Sequence, residues 1–168
     1  DNFTIDDNLF KNFSPRMALT WSISQDNRWK LNFATGRYFK IPTYTILGFK
    51  DLNNNFINND SKYTRSDHLV FGIEYNNSES SRFSIEAFNK KYFNYPISVN
   101  DMVSLANKGG DFEVLGNENV STSGRGKSYG IEFLYQQKLK NNFYGILSYT
   151  FFYSKFSGFD KVFLPSVW

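Results

Sequence analysis

Six stretches of this chain alternate apolar and polar residues with a period of two, and the connections between them alternate short and long. A period of two places successive side chains on opposite faces of a sheet, so each stretch is predicted to be a strand with one greasy side. The runs are Arg16 to Ser24, Trp29 to Phe39, Asp67 to Tyr75, Arg82 to Tyr92, Lys127 to Gln137 and Asn142 to Tyr153. In the third, Leu69, Phe71, Ile73 and Tyr75 oppose Val70, Gly72 and Glu74. In the fifth, Tyr129, Ile131, Phe133 and Tyr135 oppose Gly130, Glu132, Leu134 and Gln136. Each contains an echo of the other, Gly72-Ile73-Glu74-Tyr75 and Gly130-Ile131-Glu132-Phe133, alike but for the last ring, and each run leads through a polar turn into the next.

The turns near 25–28, 76–81 and 138–141 are brief. The connections from Lys40 to Ser66 and from Phe93 to about Gly124 are long, polar and without periodicity. A soluble meander usually has short loops at both ends of its sheet. Brief turns on one side and long loops on the other are the pattern of a transmembrane β-barrel. Strand length agrees, because a tilted strand crosses the apolar band in roughly 11 residues. The prediction is an all-β fold: an antiparallel meander of about six amphipathic strands, in three hairpins. Six strands are too few to close a membrane barrel, and an open edge in lipid leaves backbone groups unpaired. The expectation is therefore that residues 1–168 are a piece of a larger barrel.

Composition narrows the function classes. Apolar residues make up 40% of the 168, below the usual globular share, yet 20% are aromatic, with 19 Phe and 11 Tyr. Rings in that number suit sheet faces and interfacial girdles better than a helical core. There is no Cys and one His, His68, so no cysteine or zinc centre is expected, nor any metal or other cofactor. A net charge of +3 without a basic run gives no reason to expect nucleic acid. No Ser/His/Asp arrangement can be distinguished, so no catalytic residue is assigned. Gly124-Arg125-Gly126-Lys127-Ser128 fails the phosphate-loop pattern, because Ser121 stands where glycine is needed and a strand follows. Its glycines read as a loop turning back into the sheet. His68, beside Asp67, reads as a capping or interfacial residue.

The phase of the alternation sorts the candidates. Leu19, Trp21, Leu31, Phe71, Ile73, Ile85, Ile131, Phe133 and Leu147 fall on the face assigned to lipid. Trp21, Trp29, Tyr75, Phe83, Tyr135 and Phe143 lie close to the short turns and read as an aromatic belt. Glu74, Glu86, Glu132 and Lys30 fall on the inner face. Lys30 and Arg82 sit near the short-turn rim, where they either pair with those carboxylates or face water. Arg37, Tyr38, Tyr44, Tyr92, Asn94, Tyr95 and Arg125, near the loop ends, are the candidates for touching substrate, since binding usually falls on loops held by a rigid scaffold.

Phe13-Ser14-Pro15-Arg16-Met17-Ala18-Leu19, Gly36-Arg37-Tyr38-Phe39-Lys40-Ile41-Pro42 and Ser66-Asp67-His68-Leu69-Val70-Phe71-Gly72-Ile73-Glu74-Tyr75 resemble the C-terminal barrel of TonB-dependent outer-membrane receptors. So do Ile85-Glu86-Ala87-Phe88-Asn89-Lys90-Lys91-Tyr92, Gly130-Ile131-Glu132-Phe133 and Gly145-Ile146-Leu147-Ser148-Tyr149-Thr150-Phe151. The resemblance runs from about Phe13 to Trp168. It implies a barrel of about 22 strands in the outer membrane of a Gram-negative bacterium, filled by a plug domain. It also implies uptake of a scarce nutrient (siderophore, vitamin, or glycan or peptide) with energy relayed from the inner membrane through TonB. The partners it implies are outer-membrane lipid, the plug of the same parent chain, the TonB complex and the substrate. Glu74, Glu86, Glu132 and Lys30 would then face the plug. The sequence itself contains neither a plug nor a TonB-contacting segment. A secreted soluble β-sandwich that acts in binding or adhesion is the alternative; an outer-membrane barrel enzyme ranks below both.

Overall fold

A computed structural model of the chain describes residues 12–109, 114–140 and 142–167. Its strands are β1 (Arg16–Ser22), β2 (Trp29–Lys40), β3 (Thr64–Ser78), β4 (Ser81–Ser98), β5 (Val120–Lys140), β6 (Phe143–Ser157) and β7 (Phe163–Pro165). They form one antiparallel sheet in the order β1-β2-β3-β4-β5-β6-β7, so every strand pairs with its sequence neighbours. A one-turn helix, α1 (Tyr44–Leu47), lies in the β2–β3 connection, and a single 3₁₀ turn (Leu105–Asn107) in the β4–β5 connection.

The sheet has seven described strands rather than about six. The extra one, β7, is three residues that pair with Lys155–Ser157 and is too short to show a period. The strands also run further toward the long loops than the alternation does. β4 reaches Ser98 and β5 begins at Val120, well before Lys127. There Ser, Thr and Gly replace apolar residues, because protein rather than open surroundings covers the polar face. Tyr95 and Phe156 occupy the places where side chains at Gly124 and Gly126 would stand. These glycines therefore sit inside β5 and permit close approach, where a turn back into the sheet was expected. At the other end β1 stops at Ser22 instead of Ser24. Ile23 and Ser24 already belong to the turn, where the Ser24 hydroxyl accepts the amide of Trp29 at 3.0 Å.

Rows across the sheet fix the two faces. One row runs Leu31, Ile73, Ile85, Phe133, Tyr149; the next runs Phe33, Phe71, Ala87, Ile131, Phe151. Beside the short turns a third row runs Trp29, Tyr75, Phe83, Tyr135, Leu147, with the Trp29 and Tyr75 rings 4.5 Å apart. No described residue covers this face: Leu19 is 59% exposed, Phe71 48% and Leu147 70%. The opposite face carries the row Asn32, Gly72, Glu86, Glu132, Thr150. The tetrads are explained by these rows. A Cβ on Gly72 would lie 2.9 Å from Glu86 Cγ, and one on Gly130 would strike the backbone of Phe151, so glycine admits a bulky neighbour on the polar face while Ile73 and Ile131 point outward.

The buried apolar residues gather at the long-loop end of the sheet. Ile46, Leu105 and Val120 form one cluster there, joining the β2–β3 connection to the β4–β5 connection and the start of β5. Asn58, 2% exposed, clamps the two: its Nδ2 donates to Ile46 O at 2.9 Å and to Glu118 O at 2.8 Å, and its Oδ1 accepts from Val120 N at 3.1 Å. Thr45 Oγ1 donates to Leu115 O at 3.0 Å. Gly116 has φ +86°, and a Cβ there would meet Ile46 at 2.6 Å, so both backbone and space call for glycine.

Candidate functional site: the polar face and its loop platform

Read from the short turns toward the long loops, the polar face presents four groups. The first is centred on Glu74, whose side chain is 15% exposed. Lys30 Nζ lies 3.7 Å from Glu74 Oε1 and Arg82 Nη1 lies 3.7 Å from Oε2, while Asn76 Nδ2 donates to Oε1 at 2.9 Å. Antiparallel pairing builds this group, because Lys30 faces Glu74 and Asn76 faces Arg82 across neighbouring strands. The second is the pair Glu86 and Glu132, directly opposite each other on β4 and β5. Among the described residues neither carboxylate has an ion-pair partner. Like charges set opposite across strands are destabilising, so a cation brought to this row would be bound favourably.

The third group stacks Arg16, Tyr38 and His68. The guanidinium lies 4.3 Å from the Tyr38 ring centroid, and the Tyr38 and His68 rings are 4.6 Å apart. The fourth is aromatic: Phe156 lies 5.3 Å from Tyr92 and 4.5 Å from Tyr95. All three rings rest above the Gly124–Gly126 shelf, since Tyr92 pairs with Gly126 and Gly126 with Phe156.

The seven loop-end candidates do not form one site. Tyr92 and Tyr95 come together; Tyr38 stands with Arg16 and His68. Asn94, with φ 55° at a break in the β4–β5 register, donates from its amide to Tyr63 O at 3.1 Å and so pins the neighbouring connection. Tyr44 projects from α1, 87% exposed. Arg37 and Arg125 lie on the outer face, in phase with Leu31 and Ile131, and turn away from the polar side. Arg37 there forks onto Asp67 at 2.8 and 3.3 Å.

Sequence reasoning missed Phe156, Arg16 and a loop anchor. Lys108 Nζ lies 2.6 Å from Asp101 Oδ2 and 2.6 Å from Glu118 Oε1, and the Ser98 hydroxyl hydrogen-bonds Glu118. The hydrogen bond from Lys108 holds the Asp101 carboxyl below its ordinary 3.8, and the bonds to Asp101 and Glu118 raise Lys108 above 10.5. The Lys108 contribution is complete below 10.5 and lost as pH rises through its raised value. The Asp101 contribution is complete above 3.8 and lost as pH falls through its lowered value. Hydrogen exchange in residues 98–109, corrected for intrinsic rates, is therefore expected to stay constant between about pH 4 and pH 10 and to accelerate outside that window. Acceleration already at pH 6 would show that the anchor does not hold the loop. No group of three or more His, Cys, Asp or Glu suited to a metal ion occurs among the described residues.

An antiparallel meander with a bare apolar face, a polar glycine-bearing face and its buried residues gathered at the long-loop end is a wall of a membrane β-barrel. A family model described as "TonB dependent receptor-like, beta-barrel" matches residues 1–166, and the chain belongs to that family. Its members are outer-membrane receptors and transporters of Gram-negative bacteria, built as a barrel with a plug domain and served by TonB; the family is not one of enzymes. Among curated proteins none matches this chain.

Proposed function

We propose that this chain forms part of the barrel wall of a receptor that binds a scarce nutrient at the cell surface and imports it with energy delivered through TonB. Residues 1–168 are its partial barrel domain. The outer face, including Leu19, Trp21, Leu31, Phe71, Ile73, Ile85, Ile131, Phe133 and Leu147, meets hydrocarbon. Glu74, Glu86, Glu132 and Lys30 face the plug domain of the parent chain. The Tyr92–Tyr95–Phe156 trio and the clamped loops above it stand on the substrate side, where a siderophore, vitamin, glycan or peptide enters. One observation carries this reading: the apolar rows are continuous from β1 to β6 and uncovered, while the face that a soluble sandwich would leave to water is the one lined by Glu86, Glu132 and glycine.

The two unpartnered carboxylates give the test. In the full-length receptor, Glu86→Gln with Glu132→Gln removes the charge that a plug cation would meet. A hydrogen bond to a charged group contributes about 1.5–3 kcal/mol. The double variant is expected to insert into the outer membrane at wild-type level and to release its plug at a lower urea concentration, with slowed uptake. Unchanged plug unfolding would show that these carboxylates are only solvated.

A further inference from the structure

We infer that Arg16, His68 and Lys90 form an anion subsite on the polar face, one that gains a proton as it fills, and that the nutrient carries a carboxylate or phosphate into it. The inference rests on the substrate-side reading made above. Pairing sets the three in one row: Arg16 opposes Gly36, Gly36 opposes His68 and His68 opposes Lys90. Arg16 and Tyr38 close over Gly36, where a Cβ would stand 3.2 Å from Arg16 Cγ and from the Tyr38 ring. That ring covers one face of the guanidinium, which lies 4.3 Å from its centroid, and leaves the edge N–H groups to donate. The His68 ring follows at 4.6 Å from that of Tyr38, and Lys90 Nζ lies 5.0 Å from the Phe88 ring centroid.

Neither Arg16 nor Lys90 has an ion-pair partner among the described residues. Asp67 lies on the outer face, engaged by Arg37 at 2.8 Å and Arg65 at 3.6 Å. Glu86 stands four residues away from Lys90 on β4, roughly 13 Å at the rise of a strand, which exceeds the screening length in salt. Two unpaired cations with a histidine in the same row suit an anion. A histidine ordinarily exchanges its proton near neutral pH. Around His68, Arg16 on β1 and Lys90 on β4 are positive, Tyr38 on β2 is a phenol, and Asp67 on its own strand faces the other way. An anion set among them binds the imidazolium more tightly than the imidazole, so anion and proton arrive together. The flanking rows shape the rest of the ligand. Val70, Phe88 and Phe152 stand toward the short turns, Tyr92 and Phe156 toward the loops. An acid carried on an apolar or flat body meets both, whereas a neutral glycan offers the cations no charge.

The full-length receptor, purified in a neutral detergent, would be titrated with 4-fluorobenzoate and with neutral 4-fluorobenzyl alcohol, binding being read from fluorine NMR line widths. The acid is expected to bind at least about fivefold tighter than the alcohol, and R16Q/K90Q to abolish that preference. Lowering the pH from about 8 to about 6 is expected to tighten the acid roughly three- to tenfold, and His68→Gln to flatten this dependence while keeping the preference. Equal binding of the two probes overturns the inference, as does a preference that survives R16Q/K90Q or a pH dependence that survives His68→Gln. If a carboxylate of the plug already fills the row, wild-type receptor shows no preference and R16Q/K90Q releases the plug at a lower urea concentration, which also overturns it. Heat-modifiable migration on gels and plug release in the Glu86→Gln, Glu132→Gln variant report on the receptor reading without either probe. A receptor that fails both counts against that reading. One that passes both and binds the probes alike counts against this subsite alone. Should R16Q/K90Q fail to insert, the wild-type comparison and the His68→Gln profile still decide.

Discussion

Ile131→Arg in the full-length receptor is expected to block assembly into the outer membrane, whereas Thr150→Arg, one residue pair away on the other face, is expected to be tolerated. Ile131 sits in the middle row of the apolar face, between Ala87 and Phe151, and is 43% exposed with none of the described residues above it. If hydrocarbon covers it, a guanidinium there costs about 2–4 kcal/mol near the bilayer midplane. Thr150 pairs with Glu132 on the polar face, so an arginine at that position gains a carboxylate neighbour and water. The contrast between the two faces is the informative quantity. Urea unfolding from lipid vesicles should separate the variants by at least about 2 kcal/mol, with Ile131→Arg the less stable. Equal losses would mean that the Ile131 face packs on protein, and the soluble-sandwich alternative would then regain its standing.

The part of this fold that was legible in the sequence is the part whose two faces meet different media. Where one side of a strand meets an apolar medium and the other a polar one, selection writes a period of two, and the phase of Leu69, Phe71, Ile73 and Tyr75 fixes both face and register. The signal fades toward the long loops, where the inner side is covered by protein and the outer side, at Ser123, Arg125 and Lys127, is exposed but polar. The beginning of β5 reads Val-Ser-Thr-Ser-Gly-Arg-Gly because Gly124 and Gly126 must yield space to Tyr95 and Phe156, and no alternation survives that demand. The loop core left even less trace. Ile46, Leu105 and Val120 stand in short stretches without a period, and only contact across dozens of residues makes them a cluster. Lys108 and Glu118 are ordinary charges until the same contact brings them together.

The candidate residues divide along the same line. Lys30, Glu74 and Arg82 could be assigned to one face by counting, although the distances that make them a group depend on pairing that counting does not supply. Arg37 and Arg125 were grouped with the substrate candidates because they lie near loops. Counting two residues at a time from Leu31 and Ile131 would have put both on the outer face. Phe156 was missed for a simple reason: the alternation of the sixth run was followed only to Tyr153, and β6 continues to Ser157.

Asn58→Ala is expected to loosen both long connections at once while leaving the strands intact. The carboxamide of Asn58 makes three hydrogen bonds, a buried one within its own connection, to Ile46, a part-buried one to Glu118 in the other connection, and a buried one to Val120 at the start of β5. Its removal strands two carbonyls and one amide, each worth about 1–3 kcal/mol when fully dry. Water will reach some of them once the loops part, so the net loss should be about 2–4 kcal/mol of local rather than global stability. Asn58→Asp is a sharper probe than alanine. It keeps the shape and the acceptor toward Val120 but turns a donor into a second acceptor facing two carbonyls, and it buries a charge. It should therefore loosen the loops more than Asn58→Ala does. Limited proteolysis of the receptor in membranes reads both outcomes, with new cuts expected in 41–63 and in 99–109 together and none in β3 or β5. If only one connection became sensitive, Asn58 would be a local turn residue and not a clamp. If, as proposed, these loops hold the substrate, the joint response matters for uptake, because a substrate held by one loop then feels the order of the other. Ligand binding and loop closure would share one free energy, and the asparagine that couples them would lower nutrient affinity when lost without touching the nutrient.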